Sequence, residues 1–228
     1  MQGVDTIIWD WNGTLLNDVD ICIDIINELL IIRNQQPLTR SRYREIFTFP
    51  VKDYYSKAGF NFTQEPFDKI AFEFIEKYHE NLKRAHIFQD VKTVLRTFRE
   101  NGYQQYMLSA MEHRSLLNSV KEKGIEKYFN EISGIHDHFA KSKIEMAKNF
   151  MQELAIEKDR CCLIGDSIHD AEVAEELGIA CLLVAAGHQS YERLLTTGCE
   201  VVTGLHETLQ YFKINHFDII NNSNEESK

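Results

Sequence analysis

Proline is scarce and unevenly placed: the chain of 228 residues holds three, Pro37, Pro50 and Pro66, all in one stretch. Long apolar runs are missing as well, none reaching the ~18 residues that a membrane-crossing helix needs. The first residues also lack the basic-then-apolar layout of a secretory signal, so cytoplasmic residence with no membrane partner is expected. Basic residues are outnumbered, with 25 Lys and Arg against 35 Asp and Glu and a formal net charge of −10. That balance argues against a general nucleic-acid or anionic-membrane surface, and any phosphate site has to be local. The five cysteines (Cys22, Cys161, Cys162, Cys181, Cys199) contain no C-x-x-C spacing. Three of them sit in or beside apolar strand-like runs, where a reduced thiol acts as a small hydrophobe, which suits a reducing compartment. There is no internal repeat and no low-complexity tract. With 43% apolar and 26% charged residues, the chain is an ordinary globular protein, and disordered and fibrous classes are excluded.

What is present is an alternation of helical and strand-like patterns. Thr6-Ile7-Ile8-Trp9 is β-branched and aromatic without polar alternation, which predicts a buried strand, and Gly13 supplies a turn just after it. Asn17-Asp18 offers a cap before a helix over 19–33, whose apolar residues Ile21, Ile25, Ile26, Leu29 and Leu30 recur at helical spacing. From there to about residue 84 the pattern is helical and strand-poor. Helices over 40–47, 52–58 and 67–82 are separated by the three prolines and Gly59. After His86 the spacing predicts helix 91–101, strand 103–108, helix 114–123, strand 132–135, helix 142–154 and strand 161–164. Helix 171–177, strand 180–184, helix 191–195 and strand 200–202 follow. Such repetition predicts an α/β fold, a Rossmann-like parallel sheet with helices on both faces. The core takes residues 1–16 and 85–228, and 17–84 is a helical insertion. Residues 221–228 read as a frayed tail.

Three strands end in groups that converge on one sheet edge: Asp10 in Asp10-Trp11-Asn12-Gly13-Thr14, Ser109, and Gly165-Asp166-Ser167-Ile168-His169-Asp170. Clustered carboxylates raise one another's pKa unless a cation sits among them. Hard oxygen donors with few protein contacts suit Mg²⁺, which completes its sphere with water and phosphate.

Asp10-x-Asn12-Gly13-Thr14-Leu15, Ser109, a lysine near Ser142 and Gly165-Asp166-Ser167-x-x-Asp170 stand in the order of four motifs. In this the chain resembles the haloacid dehalogenase superfamily of phosphohydrolases over nearly its whole length. The insertion looks like the cap of the phosphoglycolate phosphatase and β-phosphoglucomutase branch, which implies a small phosphorylated metabolite as substrate. The resemblance implies Asp10 as nucleophile forming an aspartyl-phosphate, and Mg²⁺ held by Asp10, Asp166, Asp170 and the backbone carbonyl of Asn12. Ser109 would bind a phosphate oxygen, with Thr14 and Ala110 beside it in the substrate-binding set. A lysine from Ala140-Lys141-Ser142-Lys143 would neutralise another oxygen. Lys143 is preferred because it opens the apolar-periodic run, with Lys141 the alternative. Asp170 would orient that lysine or a metal-bound water, or cap the helix that follows.

Position 12 departs from the pattern. Phosphatases of this superfamily carry a second acid there, which protonates the leaving oxygen and then activates water. Asn12 can do neither, a loss commonly worth 10²- to 10⁴-fold in rate. Three readings follow: a phosphatase slow on poor leaving groups or using another proton donor, C–P cleavage like that of phosphonoacetaldehyde hydrolase with Lys52 as Schiff-base lysine, or a phosphometabolite binder that has lost turnover. Lys52 otherwise reads as a solvated or substrate-binding cation. His113 is a candidate substitute donor at a helix start. His136-Asp137-His138 resembles a metal cluster but lacks a third local ligand. His169 is expected to point away from the acids. Phe47, Phe49, Tyr54, Tyr55, Phe60, Phe62, Phe72, Phe74 and Tyr78 read mostly as core of the insertion, and Arg40, Arg42 and Arg44 as a solvated helix face.

Overall fold

The fold is organised around the first strand. Ile7, Ile8 and Trp9 are all fully buried, because successive side chains of a central strand point to opposite, helix-covered faces. Ile7 and Trp9 join one apolar cluster with Val94, Leu95, Phe98, Leu116 and Val120, whereas Ile8 joins a second with Ala147, Phe150, Val173 and Leu177. The computed structural model describes residues 1–135, 143–212 and 214. Lys141, His136-Asp137-His138 and the tail at 221–228 lie outside the described residues.

Along the chain, β1 (Thr6–Trp9) and the short β2 (Leu16–Asn17) precede four helices, α1 (Val19–Ile32), α2 (Arg40–Ile46), α3 (Val51–Ala58) and α4 (Phe67–Asn81), and then β3 (His86–Ile87). The alternation continues through α5 (Val91–Glu100), β4 (Gln104–Glu112), α6 (His113–Glu122), β5 (Glu131–Ile135), α7 (Lys143–Glu153) and β6 (Cys161–Gly165). It closes with α8 (Ile168–Leu177), β7 (Ala180–Val184), α9 (Tyr191–Leu195) and β8 (Glu200–Val202). Six strands form one sheet in the order β5-β4-β1-β6-β7-β8, every pair parallel. The chain builds outward from β1 to β4 and β5, then crosses back to β6. That reversal leaves a crevice at the carboxyl ends of the strands beside β1, where open α/β sheets bind ligands.

The α/β expectation holds, with differences at several ends. Strand β4 runs on to Glu112 instead of stopping at residue 108, but its register with β5 breaks between Leu108 and Glu112, so Ser109 stands at an irregularity inside the strand. Helix α8 starts at Ile168, earlier than its apolar pattern indicates, because Ser167 and Asp170 form a capping box. Strands β2 and β3 pair antiparallel, Leu16 with Ile87 and Asn17 with His86, and are too short to leave a periodic signal. They join the chain entering the four-helix segment to the chain leaving it.

Within that segment Tyr54, Tyr55 and Phe60 are buried as expected, but Phe72 is 62% exposed. Arg33 fastens α1 to the segment around α4 through Glu65 at 2.5 Å and Glu73 at 2.7 Å. Arg40 and Arg42 pair with Asp20 and Glu45 at the surface, but Arg44 is not solvated: it donates to the carbonyls of Ala185 and Gln189 at 2.5 and 2.7 Å. No helix among the described residues is long and apolar enough to cross a membrane.

Candidate active site

The Asp10 amide donates to the carbonyl of Ile164 at 2.9 Å, so the β1–β6 ladder ends where the carboxylate begins. The chain then turns tightly, the amides of Thr14, Leu15 and Leu16 all directed at the carbonyl of Trp11. Gly13 sits at φ +78°, and a Cβ there would strike the Asp166 carboxylate and the His188 ring. Gly187 is constrained likewise, since its Cβ would meet Asp166 and the carbonyl of Gly13. Two glycines thus let two backbone segments close around one carboxylate.

Lys143, the first residue of α7, places its ammonium 2.5 Å from Asp10 Oδ1 and 2.7 Å from Asp170 Oδ1. Burial alone would lower its pKa, but the two carboxylates more than offset this and keep it protonated. Asp170 serves two partners at once. Its Oδ2 accepts from Ser167 Oγ at 2.6 Å and from the amides of Asp166 and Ser167, while Oδ1 takes the lysine. Capping and lysine orientation are therefore one residue's combined work. Burial acts to raise the Asp170 pKa, but Lys143 and Ser167 hold it below the usual range.

The other two acids are pushed upward. Burial, with the charge of Asp170, raises Asp10 to about 6 against the pull of Lys143. Burial, with Asp10 and Asp170, raises Asp166 to about 7 against the pull of His188. Thr14 Oγ1 lies between them, 3.3 Å from Asp10 Oδ2 and 3.4 Å from Asp166 Oδ1. Carboxylate oxygens of Asp10, Asp166 and Asp170 lie within 4.8 Å of one another, all buried. Three clustered carboxylates, two of them with pKa values pushed up by burial and mutual repulsion, fit a small divalent cation. With Asp170 saturated by Ser167 and Lys143, Asp10 and Asp166 are the acids with lone pairs to offer.

The side chain at position 12 belongs to a network that its spacing did not reveal. Asn12 Nδ2 donates to Asp18 Oδ2 at 2.9 Å and to the Tyr78 hydroxyl at 2.7 Å, and Tyr78 donates to the same Asp18 oxygen at 2.7 Å. Asp18 occupies the N-cap position of α1, yet it makes no side-chain capping bond. This corrects the capping expectation: its Oδ1 accepts from the amide of Gly13 at 3.1 Å and faces His188 Nε2 at 3.3 Å. His188 has its other ring nitrogen 2.8 Å from the Tyr43 hydroxyl, and its amide donates to Asp166 Oδ2 at 2.5 Å. Burial would lower the His188 pKa, but Asp18, Asp166 and Asp10 raise it to about 9, so the ring is a second cation at the site.

Asp18, Tyr78 and His188 were missed by sequence reasoning. For His188 a signal existed, because the 185–189 loop follows β7 and so leaves the same sheet edge as the motifs. Asp18 was hidden by its plausibility as a cap, and Tyr78 by membership of an aromatic set that packs mostly as core.

Of the remaining candidates, Ser109 is buried and its Oγ accepts from the amide of Met111 at 3.1 Å, while its neighbour Ala110 is exposed. Lys52 is exposed on α3, its ammonium 5.8 Å from the centroid of the Phe62 ring. His113 Nδ1 accepts from the amide of Gly134 at 3.3 Å. His169 pairs with Glu172 at 3.1 Å and packs 4.9 Å from the Phe49 ring.

The sequence profile of the haloacid dehalogenase-like hydrolases matches residues 7–184. Among solved structures, a haloacid dehalogenase-like family hydrolase from Streptococcus pneumoniae superposes with a TM-score of 0.80 at 20% identity, covering 93% of this chain and 100% of that one. A predicted phosphoglycolate phosphatase from Haemophilus somnus gives 0.73 at 17% identity over 92% and 99% of the two chains. The Mycobacterium tuberculosis Protein Tyrosine Kinase A gives 0.77 at 17% identity, again over 92% and 99%. Likeness at this identity establishes the fold, and names as different as these leave the chemistry to be argued from the site. A search of curated proteins finds no match.

Proposed function

The chain belongs to the haloacid dehalogenase-like hydrolase family, and within it we propose a magnesium-dependent phosphohydrolase of small phosphorylated metabolites that works through an aspartyl-phosphate on Asp10. The observation that carries this reading is the lysine-bridged pair: Lys143 holds Asp10 and Asp170 at 2.5 and 2.7 Å, and the carboxylate of Asp166 stands on the same buried edge. A site built only to bind a phosphate dianion has no use for a buried carboxylate at its centre. A nucleophile does, provided positive charge surrounds it.

In this mechanism Asp10 attacks phosphorus in line, and the ester oxygen leaves on the opposite side. Lys143 keeps Asp10 ionised and aimed, and Asp170 keeps Lys143 in place. The Ser109 hydroxyl donates to an equatorial oxygen as charge develops there, with Thr14 between the two central acids. Asp10, Asp166 and the backbone carbonyl of Asn12 would hold magnesium, which would supply positive charge to offset repulsion between substrate and carboxylates. Asn12 gives no proton to the leaving oxygen, so leaving groups that depart without one are favoured.

Residues 17–84 serve as a cap over a core of 1–16 and 85–228. The β2–β3 pairing at the two crossing points supports this division, as does the contact of Tyr43, Arg44 and Phe47 with the 185–189 loop. Phe47 stacks on the His188 ring at a centroid distance of 4.8 Å. A site closed over by such contacts suits small substrates in the cytoplasm. The exposed position of Lys52 gives no support to Schiff-base chemistry, which uses a desolvated lysine.

The deciding experiment incubates the protein with labelled acetyl phosphate and Mg²⁺, quenches in acid, and maps the adduct. Label on Asp10 that is absent from Asp10→Asn supports the reading. No adduct and no turnover across a panel of phosphorylated metabolites would sink it.

A further inference from the structure

The five cysteines of the chain are free, but they are not alike. Cys22, Cys161 and Cys162 are buried, whereas Cys181 and Cys199 are half-buried. Parallel pairing of β7 with β8 sets Leu182 opposite Glu200. The residue before each is a cysteine, so Cys181 and Cys199 face each other across the mouth of the ladder. Neighbouring strands lie about 4.8 Å apart, inside the Cα separation that a disulfide spans. Both side chains pack against the same small cluster around Ala171, Leu183 and Leu194.

The neighbouring Cys181 thiol, with help from the Thr197 hydroxyl and against partial burial, pulls the Cys199 thiol down to about 6. Thr197 also fixes the backbone, its Oγ1 accepting from the amide of Cys199 at 3.1 Å and donating to the carbonyl of Leu194 at 2.7 Å. The contrast with the other cysteines is sharp. Burial drives Cys161 up to about 12 and raises Cys22 and Cys162 as well. Cys181 is held well above its usual value by the neighbouring Cys199 and by partial burial. A half-buried thiol with a lowered pKa, opposite a second thiol on the adjoining strand, is the arrangement of an attacking and a resolving cysteine.

We propose that Cys199 and Cys181 form a redox-active pair that hydrogen peroxide converts to a disulfide joining β7 to β8. The Cys199 thiolate attacks one peroxide oxygen, the O–O bond breaks, and the departing hydroxide takes a proton to become water. Cys199 is then a sulfenic acid. The Cys181 sulfur attacks the Cys199 sulfur, the S–O bond breaks, and the hydroxyl leaves as water with the Cys181 proton. Two thiols lose two electrons in all, and one peroxide becomes two waters. The chemistry of this pair does not depend on the phosphohydrolase reading.

The test treats reduced protein with graded hydrogen peroxide, blocks remaining thiols with iodoacetamide, and maps the product by intact and peptide mass spectrometry. The expected result is the loss of two hydrogens, with the peptides carrying residues 181 and 199 joined. Cys181→Ser is expected to stop at the sulfenic acid, trapped by dimedone on Cys199, and Cys199→Ser to give neither product. Circular dichroism of the reduced variants checks that each is folded. Wild-type protein settles the matter by itself: if both thiols stay alkylatable at peroxide doses that oxidise the half-buried Met1 and Met146, or if a disulfide maps to other cysteines, the pair is not redox-active.

Discussion

The side-chain amide of Asn12 donates to Asp18 across 2.9 Å, so the residue that departs from the superfamily pattern is the one that a neighbouring carboxylate requires. An aspartate at position 12 would set two carboxylates against each other in a buried site, with Tyr78 able to give its single proton to only one of them. Asn12 and Asp18 are therefore a matched donor and acceptor, and either one substituted alone breaks the match.

This relationship revises what Asn12→Asp is expected to do. Restoring an acid two residues after the nucleophile should speed hydrolysis of ordinary phosphomonoesters, but only if the acid can lose its proton. Beside Asp18 it is held protonated, and the fold loses about 1–3 kcal/mol through the spoiled buried bond. In Asn12→Asp/Asp18→Asn the donor and acceptor have changed places, so the stability lost through the spoiled bond returns, less the contribution of the Asp18–His188 pair, and turnover rises above wild type. Thermal melts and kcat of the four proteins of the cycle check this. If Asn12→Asp alone is as stable and as fast as the double variant, the two residues are not coupled.

Asp10→Asn should abolish turnover and labelling by acetyl phosphate, because a carboxamide cannot carry the phosphoryl group. Lys143→Met should retain some activity, lower by about 10²- to 10³-fold, as it removes one stabilising charge and leaves the nucleophile in place. A Lys143→Met enzyme as fast as wild type would mean that the bridge to Asp10 and Asp170 is structural only. Rates under single-turnover conditions separate this from an effect on substrate binding.

Magnesium should stabilise the protein more at pH 8 than at pH 5. Asp10 at about 6 and Asp166 at about 7 both lie above their ordinary value of 3.8. A carboxyl whose folded pKa is raised binds protons that the unfolded chain has released, so its contribution to stability falls as pH rises from 3.8 through the folded value. A cation opposes this loss, and at pH 5 it must first displace protons from both acids. At a concentration of 100 times Kd the gain is about 2.7 kcal/mol, or several degrees in Tm for a chain of this size, at about 2–4 °C per kcal/mol. Melts with and without MgCl₂ from pH 5 to 8 measure it. A shift that is flat with pH, or that survives in Asp166→Asn, would place the ion elsewhere.

Much of this arrangement was legible because strand ends carry their chemistry locally. Asp10, Ser109 and Asp166 each follow a short apolar run, and parallel strands bring such ends to one edge whatever the intervening sequence. Lys143 was legible as the first residue of an apolar-periodic helix. Groups whose partners are distant in sequence were not: Asp18 with His188, Asn12 with Tyr78, and Arg44 with the carbonyls beyond β7 are joined only when the helices between β2 and β3 fold over the sheet. Asp18 was the hardest, since the position before a helix already explains an aspartate without any partner.

The contacts that hide the site should also limit entry to it. Arg44 donates to the carbonyls of Ala185 and Gln189, Arg193 to those of Arg44 and Phe47, and Gln189 Nε2 to that of Phe47 at 3.0 Å. Gln189 Oε1 in turn accepts from the amide of Ile168 at 2.9 Å, so one buried side chain ties the start of α8 to the end of α2. The acids are buried, and a substrate entering between the helical segment and the 185–189 loop would have to part these bonds before reaching Asp10. Each neutral bond contributes about 0.5–1.5 kcal/mol and each charged one about 1.5–3 kcal/mol, so Arg44→Met lowers the cost of opening by enough to raise the open population roughly tenfold or more. Faster amide exchange at His188 and in the 44–47 segment is the expected result, with exchange across β1 and β6 unchanged. The same variant should speed substrate entry with little change in KM, because the free closed form and the closed complex lose the same bonds. Unchanged exchange at His188 would show that these bonds do not control access to the acids.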